Sequence, residues 1–306
     1  MTSGTPDAPD ASNWITLFIL SIVWGAAFMS MALALEGYGP LTVAAGRTGI
    51  GALALLILGS ALGQGLGRVP GRQGWAMVSL IGLLNVALPF ALLTWGLQYV
   101  PSAFAGVSMG ASPLFVLPLA ILFSPGESAD LRRVIGIVVG FVGVIVLVVP
   151  GGELASGGEN EMPGRLACVT ATLCYAVGAI LTRRAPPMPP LTLTGGMLLV
   201  ATAVLAPFAL IFDGLPEVSV SRATLALIFV GLCPTGIAFF LRVRIIQSAG
   251  MIFMSLVAYM VPVWAVIFGV FLMGEELQPS LYIAVLLIVA GVAAAQWSSL
   301  SRLFRR

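Results

Sequence analysis

The sequence predicts an all-α membrane protein in which ten transmembrane helices form two inverted five-helix repeats. Of the 306 residues, 59% are hydrophobic and only 8% are charged. This leaves too little polar side chain to cover a water-facing surface, whereas a lipid-facing surface needs none. The apolar stretches fall into two sets of five with matching spacing. Because five is odd, the second set enters the membrane from the opposite side, as in the inverted repeats of many secondary transporters.

Ten stretches are long enough for a membrane span, which needs about 20 apolar residues at helical rise. The predicted spans are 14–35, 41–63, 75–97, 101–123, 132–150, 165–183, 191–212, 222–243, 250–273 and 280–298. From them we predict a tail at 1–13, a first repeat at 14–150, a linker at 151–164, a second repeat at 165–298 and a basic tail at 299–306.

The distribution of arginine sets the predicted orientation. All 14 basic residues are Arg, since the chain has neither Lys nor His. In the ten-span arrangement eleven of them fall on one side: Arg68, Arg72, Arg132, Arg133, Arg183, Arg184, Arg242, Arg244, Arg302, Arg305 and Arg306. Cytoplasmic loops of membrane proteins carry an excess of such residues. We therefore predict that both termini are cytoplasmic and that 151–164 is extracytoplasmic.

The two halves share markers in the same order along the chain. Phe90 and Phe239, Gln98 and Gln247, and Pro113 and Pro262 are each 149 residues apart. Pro40-Leu41-Thr42 recurs as Pro190-Leu191-Thr192 after 150 residues, and Gly126-Glu127 as Gly274-Glu275 after 148. Small loop insertions account for the drift of the offset, so the order of the matches supports an internal repeat.

Several of these residues carry a resemblance to a known family. The segment 21–25 in the first span, Pro40 with Arg47 in the second, Pro113 in the fourth and Gly126-Glu127 before the fifth resemble the EamA-type repeat. The chain is thus similar to the drug/metabolite transporter superfamily, above all to ten-span exporters of amino acids and related metabolites in the bacterial inner membrane. The resemblance implies a helical basket around a central cavity, formed mainly by spans 1, 3, 4, 6, 8 and 9.

Arg47 is the only charged residue well inside a span. A charge within the membrane is costly and marks a functional candidate. Two interpretations stay open. Arg47 binds an anionic group of the substrate, such as a carboxylate, or it is an anchor that reaches the outer interface and neighbouring carbonyls. The second is feasible because Arg47 lies about 9 Å from the start of its span.

One face of the first span combines a hydroxyl with aromatic rings. Ser21, Trp24 and Phe28 are spaced for one helix face, and Thr172 and Tyr175 take the equivalent positions of the second repeat. Such a lining suits amphipathic solutes, because rings cover an apolar part and hydroxyls meet polar groups. The alternative is helix packing with each hydroxyl bonded to its own backbone.

Further polar residues within spans are candidates for the cavity lining or for helix contacts: Asn85, Ser108, Ser112, Ser255 and Tyr259. Pro113 and Pro262 hold equivalent positions, and each bends its helix because proline lacks the amide hydrogen. They are candidate hinges for gating, or permanent bends that shape the basket.

Absent residue types narrow the function. No span interior carries Asp, Glu or His, so the sequence offers no obvious proton relay and little for intramembrane proteolysis. There is no phosphate-binding loop with Lys, which argues against transport driven by ATP. The three cysteines have no metal-ligand spacing. We predict no enzyme activity, no cofactor, no metal and no nucleic-acid partner.

The sequence therefore predicts a secondary transporter that exports small amphipathic metabolites, with aromatic or neutral amino acids favoured. Alternating access and facilitated diffusion without proton coupling are the expected mechanism. The alternatives are an exporter of drugs and lipophilic cations and, from another class, a non-transporting receptor or scaffold. The expected partners are the bilayer and the substrate, with the protein a monomer or weak homodimer in the bacterial inner membrane.

Overall fold

The computed structural model describes residues 10–123, 131–149 and 158–297. Within these ranges the chain is helical and has no β-strand. Eight of the described helices are long and apolar enough to cross a membrane, and two shorter apolar helices bring the number to ten. The predicted fold class is confirmed. Gly126-Glu127, the first half of the predicted linker (151–157), residues 1–9 of the first tail and the whole basic tail at 299–306 lie outside the described residues.

The helices follow the predicted spans closely, except that the ninth begins at Val257 and not at residue 250. The first five are α1 (Ala11–Leu35), α2 (Pro40–Ala61), α3 (Gly71–Gly96), α4 (Ser102–Gly110 continued by Ser112–Phe123) and α5 (Leu131–Val148). The second five are α6 (Glu161–Arg183), α7 (Pro190–Phe212), α8 (Arg222–Gly250), α9 (Val257–Met273) and α10 (Pro279–Ala295).

α8 extends beyond its predicted end at residue 243. Arg242 lies just before this extension and Arg244 lies on it, with their guanidinium carbons 5.7 and 5.9 Å from the ring centres of Phe239 and Phe240. The helix ends where Gly250 adopts φ 89°, a left-handed conformation that glycine accommodates without steric cost. The arginines therefore mark the last turns of the helix and not the loop that follows it.

Two helices contain a π-helical segment at equivalent positions. These are Leu83–Ala87 in α3 and Gly231–Ile237 in α8. Each is associated with a proline, Pro89 following the first and Pro234 lying within the second. Because proline has no N–H to donate, the regular hydrogen-bond ladder is interrupted and the turn widens. Such segments redirect side chains and are frequent at functional sites.

Helix pairing follows the inverted symmetry. Equivalent helices pack on each other in three pairs: α2 with α7, α4 with α9 and α5 with α10. The other contacts are exchanged between the halves. α1 packs against α8 and α9, while its equivalent α6 packs against α3 and α4. The two repeats are thus interleaved and share one interface that runs through the molecule.

The closest of these pairs is α5 with α10. A Cβ added to Gly291 would lie 2.6 Å from the carbonyl oxygen of Gly136 and 2.6 Å from the Cα of Gly140. Only glycine fits where two helix backbones approach this closely. The spacing Gly136-x-x-x-Gly140 therefore serves packing within the chain.

The helices α2 and α4 begin without a side-chain cap of their own. Their free N–H groups are bound instead by carboxylates of the other repeat. Asp213 Oδ2 accepts a hydrogen bond from the amide of Thr42 at 2.7 Å, and Glu275 accepts from the amides of Ser102 at 2.6 Å and Ala103 at 3.1 Å. A negative charge at a helix N-terminus also interacts favourably with the helix dipole.

The start of α7 repeats this arrangement with a neutral side chain. Gln64, from the loop after α2, accepts from the amide of Leu191 through Oε1 at 3.4 Å. The hydroxyl of Thr192 donates to the backbone carbonyl of Gln64 at 2.7 Å. The α2–α7 pair therefore has a hydrogen-bonded helix cap at each end, formed by the Asp213 carboxylate at the start of α2 and by the Gln64 amide at the start of α7.

Candidate functional site

Arg47 lies at the interface of the two repeats and is 8% exposed. Its Nε donates to the Thr235 hydroxyl at 2.9 Å, and its Nη1 lies 3.1 Å from the Met31 sulfur. The guanidinium carbon sits 3.8 Å from the centre of the Phe90 ring, in cation–π geometry. None of these partners is negatively charged, and no ion pair of Arg47 occurs within the described ranges. Its positive charge is therefore not neutralised there.

The π-helical segment of α8 presents two acceptors to this region. Thr235 Oγ1 donates to the carbonyl of Val230 at 2.8 Å, which leaves the hydroxyl oxygen to accept from Arg47. The Pro234 carbonyl accepts a hydrogen bond from Trp24 Nε1 at 3.0 Å. Residues of the first repeat thus bind to α8 where its regular helix is interrupted.

Aromatic rings cover one side of the guanidinium. Tyr175 of α6 lies beside Phe90 of α3, with ring centres 6.3 Å apart, and both Tyr175 and Trp24 are partly buried. We use the name Arg47 cluster for the residues linked in this way: Trp24, Met31, Arg47, Phe90, Tyr175, Pro234 and Thr235. The cluster combines one buried cation, two hydroxyl groups and three aromatic rings.

The sequence-predicted hydroxyls Ser21 and Thr172 occupy helix contacts. Ser21 is fully buried; its hydroxyl donates to the Phe18 carbonyl at 2.7 Å and accepts from Trp264 Nε1 at 3.1 Å. Thr172 is also fully buried, and its hydroxyl oxygen lies 3.1 Å from the carbonyl oxygen of Ser108 in α4. Each therefore joins its own helix to a helix of the other repeat, at equivalent places in the two halves.

Phe28 and Asn85 lie on α1 and α3, which also carry residues of the Arg47 cluster. Phe28 is buried between α1 and α4, against Gly106. Asn85 is half-buried in the π-helical segment of α3 and packs against Gly178 of α6. Within the described part of the chain, no hydrogen bond is formed by the Asn85 amide, which leaves it available to water or a ligand.

The other candidate residues are distributed over α4 and α9. The Ser108 hydroxyl donates to its own helix at the Ala105 carbonyl, 2.8 Å away, and Ser112 is half-buried. Ser255 lies in the break before α9, and Tyr259 donates to the Val292 carbonyl of α10 at 3.2 Å. Within the described residues, no hydrogen bond joins Ser108, Ser112 or Tyr259 to the Arg47 cluster.

The two candidate hinge prolines have different surroundings. Pro113 follows an interruption of α4 at Ala111, whereas Pro262 lies inside the continuous helix α9 and packs against Gly110. The α4 interruption divides the helix into two segments. The bend at Pro262 leaves α9 in one piece.

Two lateral grooves lie away from the cluster. One of about 350 Å³ is lined by Pro40, Leu41, Leu88, Ala91, Leu92, Trp95, Phe212 and Asp213. The other, about 340 Å³, is lined by Trp14, Ile15, Leu17, Phe18 and Met260. Neither is lined by a residue of the Arg47 cluster, and their apolar walls suit lipid chains.

The sequence predicted Trp24, Arg47 and Tyr175 as site residues, but it did not predict that Phe90 and Thr235 belong to the same site. Phe90 served only as a marker of the repeat. Thr235 directly follows a proline inside a span, which is the signal that would have found it. A hydroxyl next to an interrupted helix turn is placed to bond a freed carbonyl.

Comparisons with known proteins agree with this architecture. The EamA-like transporter family matches residues 12–149 and again residues 162–295. A "probable terminal-alkyne amino-acid exporter" of Streptantibioticus cattleyicolor is 25% identical over 95% of this chain and 96% of its own length. The "uncharacterized inner membrane transporter YedA" of Escherichia coli is 28% identical, over 90% and 88%. A solved crystal structure, 26% identical, superposes with a TM-score of 0.68 and covers 97% of this chain and 100% of its own.

Proposed function

The chain belongs to the EamA-like transporter family, and from this premise we propose that it exports small amphipathic amino acids, aromatic or neutral, whose carboxylate binds Arg47. The Escherichia coli relative is named an inner membrane transporter, and this chain has eight described helices long and apolar enough to cross a membrane. The proposal concerns the substrate class, the site and the direction of transport. We further propose that both termini are cytoplasmic and that the repeats comprise residues 14–150 and 165–298.

The uncompensated charge of Arg47 is the observation that supports this most. Placing an arginine at the centre of a membrane helix costs about 2.5–3.5 kcal/mol on insertion scales. Uncharged partners such as Thr235 and Met31 reduce that cost without neutralising the cation. A carboxylate forms two parallel, charge-assisted hydrogen bonds with a guanidinium, which is the strongest pairing available to it. A substrate carboxylate therefore completes the site.

The rings of the Arg47 cluster support an amphipathic substrate. Phe90 lies against the cation, Tyr175 lies beside Phe90, and Trp24 is bound to Pro234 next to Thr235, so we propose that an apolar side chain and a carboxylate are bound together. A lipophilic cation is disfavoured because it would meet the positive charge of Arg47. The name of the Streptantibioticus relative, which specifies an amino acid with an apolar alkyne tail, fits the same chemistry.

We propose alternating access about the shared interface, without proton coupling. The Arg47 cluster draws on α1, α2 and α3 of one repeat and α6 and α8 of the other, so relative movement of the repeats opens it to either side. None of its residues is a carboxylate or histidine that would exchange a proton at physiological pH. The alternative of a non-transporting scaffold is disfavoured, because a protein without flux does not need a site that opens to both sides of the membrane.

Counterflow in proteoliposomes tests the proposal. We expect the protein to transport L-phenylalanine and to discriminate against L-phenylalaninamide, which keeps the ring and the amine but lacks the carboxylate. Arg47→Gln should raise the KM for phenylalanine about tenfold or more, because a charge-assisted pair is lost. The matched control is Arg68→Gln, an exposed arginine of the loop after α2, which should transport normally.

Three results would contradict the proposal. Equal transport of phenylalanine and phenylalaninamide would show that the protein does not recognise the carboxylate. Normal transport by Arg47→Gln would show that Arg47 does not bind the substrate. Flux of a lipophilic cation without any amino-acid flux makes the protein a drug exporter. In addition, an imposed pH gradient that by itself drives uphill accumulation of phenylalanine would disprove facilitated diffusion.

A further inference from the structure

We propose that Thr235 is the positioning residue of Arg47: it fixes which edge of the guanidinium faces the substrate. The proposal rests on the proposed function for the identity of the ligand. The orientation itself is a property of the unliganded protein and is measured separately below.

The argument begins with the donors of Arg47. A guanidinium has two edges that bind a carboxylate with two hydrogen bonds, one formed by Nε with an Nη group and one formed by the two Nη groups. The Thr235 hydroxyl occupies Nε at 2.9 Å. The edge that contains Nε is therefore engaged by the protein, and the edge between the Nη groups is left for the ligand.

The other contacts of the guanidinium are consistent with a ligand at the edge between the two Nη groups. Among the described residues, Nη1 donates to the Met31 sulfur alone, at 3.1 Å, and a thioether is a weak acceptor that a carboxylate oxygen readily replaces. The Phe90 ring lies 3.8 Å below the guanidinium carbon and fixes the plane of the group. Phe90 sets the plane and Thr235 sets the rotation within it, so together they orient the free edge.

Pro234 explains why the Thr235 hydroxyl points in this direction. In a regular α-helix the carbonyl of Val230 would accept from the amide of residue 234, which in this chain is a proline without N–H. The Thr235 hydroxyl donates to that carbonyl at 2.8 Å. Because its only hydrogen is used there, the oxygen faces Arg47 as an acceptor. The Pro-Thr pair thus converts a helix interruption into a fixed support for the arginine.

A purely structural role of Thr235 makes a different prediction. Its methyl group also packs, since a Cβ added to Gly51 of α2 would lie 2.7 Å from Thr235 Cγ2. If packing were the role, Thr235→Val would be tolerated because it keeps the shape, and Thr235→Ser would be harmful because it removes the methyl group. The positioning role predicts the opposite order.

The first measurement is counterflow of L-phenylalanine by the purified full-length protein. We expect Thr235→Val to raise the KM about tenfold with an unchanged maximal rate, as for the loss of a hydrogen bond to a charged group. Thr235→Ser should restore the wild-type KM. The matched control is Thr94→Val, because the Thr94 hydroxyl is buried and its bonds within the described part of the chain go to carbonyls of its own helix, those of Phe90 and Ala91.

The second measurement uses no substrate. Phenylglyoxal modifies guanidinium groups, and mass spectrometry of the Arg47 peptide gives the rate in the unliganded protein. We expect Thr235→Val to accelerate modification several-fold, with Thr235→Ser and Thr94→Val unchanged. Wild-type behaviour of Thr235→Val in this assay, or a greater effect of serine than of valine, would overturn the positioning role.

The two measurements separate the two proposals. If the wild-type protein transports no amino acid, the proposed function fails, while the modification rates still decide whether Thr235 orients Arg47. If phenylalanine is transported and the KM of Thr235→Val is normal, the positioning role fails and the proposed function stands.

Discussion

The Arg47 cluster and its counterpart in the other half of the molecule occupy equivalent positions and differ in polarity. At the repeat offset, Arg47 corresponds to Met197 and Thr235 to Val86. Both counterparts are buried and apolar. The inverted repeat thus supplies the scaffold twice, whereas the charge and the hydroxyl that supports it occur once. In the proposed mechanism, symmetry gives access from two sides, and the residues that depart from symmetry bind the substrate.

The same contrast holds at the two ends of the α2–α7 pair. Asp213 caps α2 with a carboxylate at 2.7 Å, and Gln64 caps α7 with an amide at 3.4 Å. Hydrogen bonds to a charged group contribute more than those between neutral groups. The Asp213 side chain is therefore the stronger of the two caps, while the α7 end also has the bond from Thr192 to the Gln64 carbonyl.

We expect the largest loss of stability when an arginine is introduced into the second repeat at the position equivalent to Arg47. We predict that Met197→Arg lowers the free energy of unfolding in detergent micelles by about 3 kcal/mol, because the new cation has no hydroxyl at Val86 to bind. Space is also short, since a Cβ on Gly82 would lie 2.9 Å from the Met197 carbonyl. The control Met197→Leu should cost less than about 1.5 kcal/mol. A stable Met197→Arg would show that the apolar half accepts a charge.

A smaller effect is expected from making the two caps alike. Asp213→Asn converts the carboxylate into the type of acceptor found at the opposite end. We predict a loss of about 1 kcal/mol in the free energy of unfolding, the difference between a charged and a neutral hydrogen bond. Glu217→Gln, in the same loop, is the control that removes an exposed charge elsewhere. Equal stability of the two variants would mean that the cap does not depend on charge.

The smallest effect is expected at the neutral cap. Gln64→Ala should lower the free energy of unfolding by about 0.5 kcal/mol, since the side-chain bond to Leu191 is long. The bond from Thr192 uses the backbone carbonyl of Gln64 and is retained. Gln73→Ala, at an exposed position of α3, controls for the loss of a surface amide. If Gln64→Ala lowered the free energy of unfolding more than Asp213→Asn, the neutral cap would be the stronger of the two.

Much of the fold was predictable from the sequence because membrane spans are dictated by length and hydropathy. The ten predicted spans and the inverted order agree with the described helices. The trans caps were not predictable: Asp213 and Thr42 are 171 residues apart, and only the pairing of α2 with α7 brings them together. Gly39 at the start of α2 gives one local hint, because its missing side chain leaves room for the Asp213 carboxylate.

The site was predictable in part. Arg47 stood out because a charge in an apolar span is rare, and Trp24 and Tyr175 because they hold equivalent positions in the repeats. Thr235 did not, because a single hydroxyl in a membrane helix usually bonds to its own backbone. Its role depends on the hydrogen-bond register of the π-helical segment, which hydropathy does not reveal. Pro234 lies inside a span, where proline kinks a helix, but its position does not give the form of the kink.

The exchanged contacts of α1 have a consequence for how the protein is made. Trp264, which bonds to Ser21, is synthesised 243 residues later, and Pro234, which bonds to Trp24, 210 residues later. At about 5–20 residues per second, α1 waits roughly 10–50 s in the membrane for its final neighbours. Throughout that interval the face bearing Ser21 and Trp24 is uncovered. A ribosome that stops after the first repeat therefore releases a product that displays this face to lipid, which distinguishes it from the finished chain.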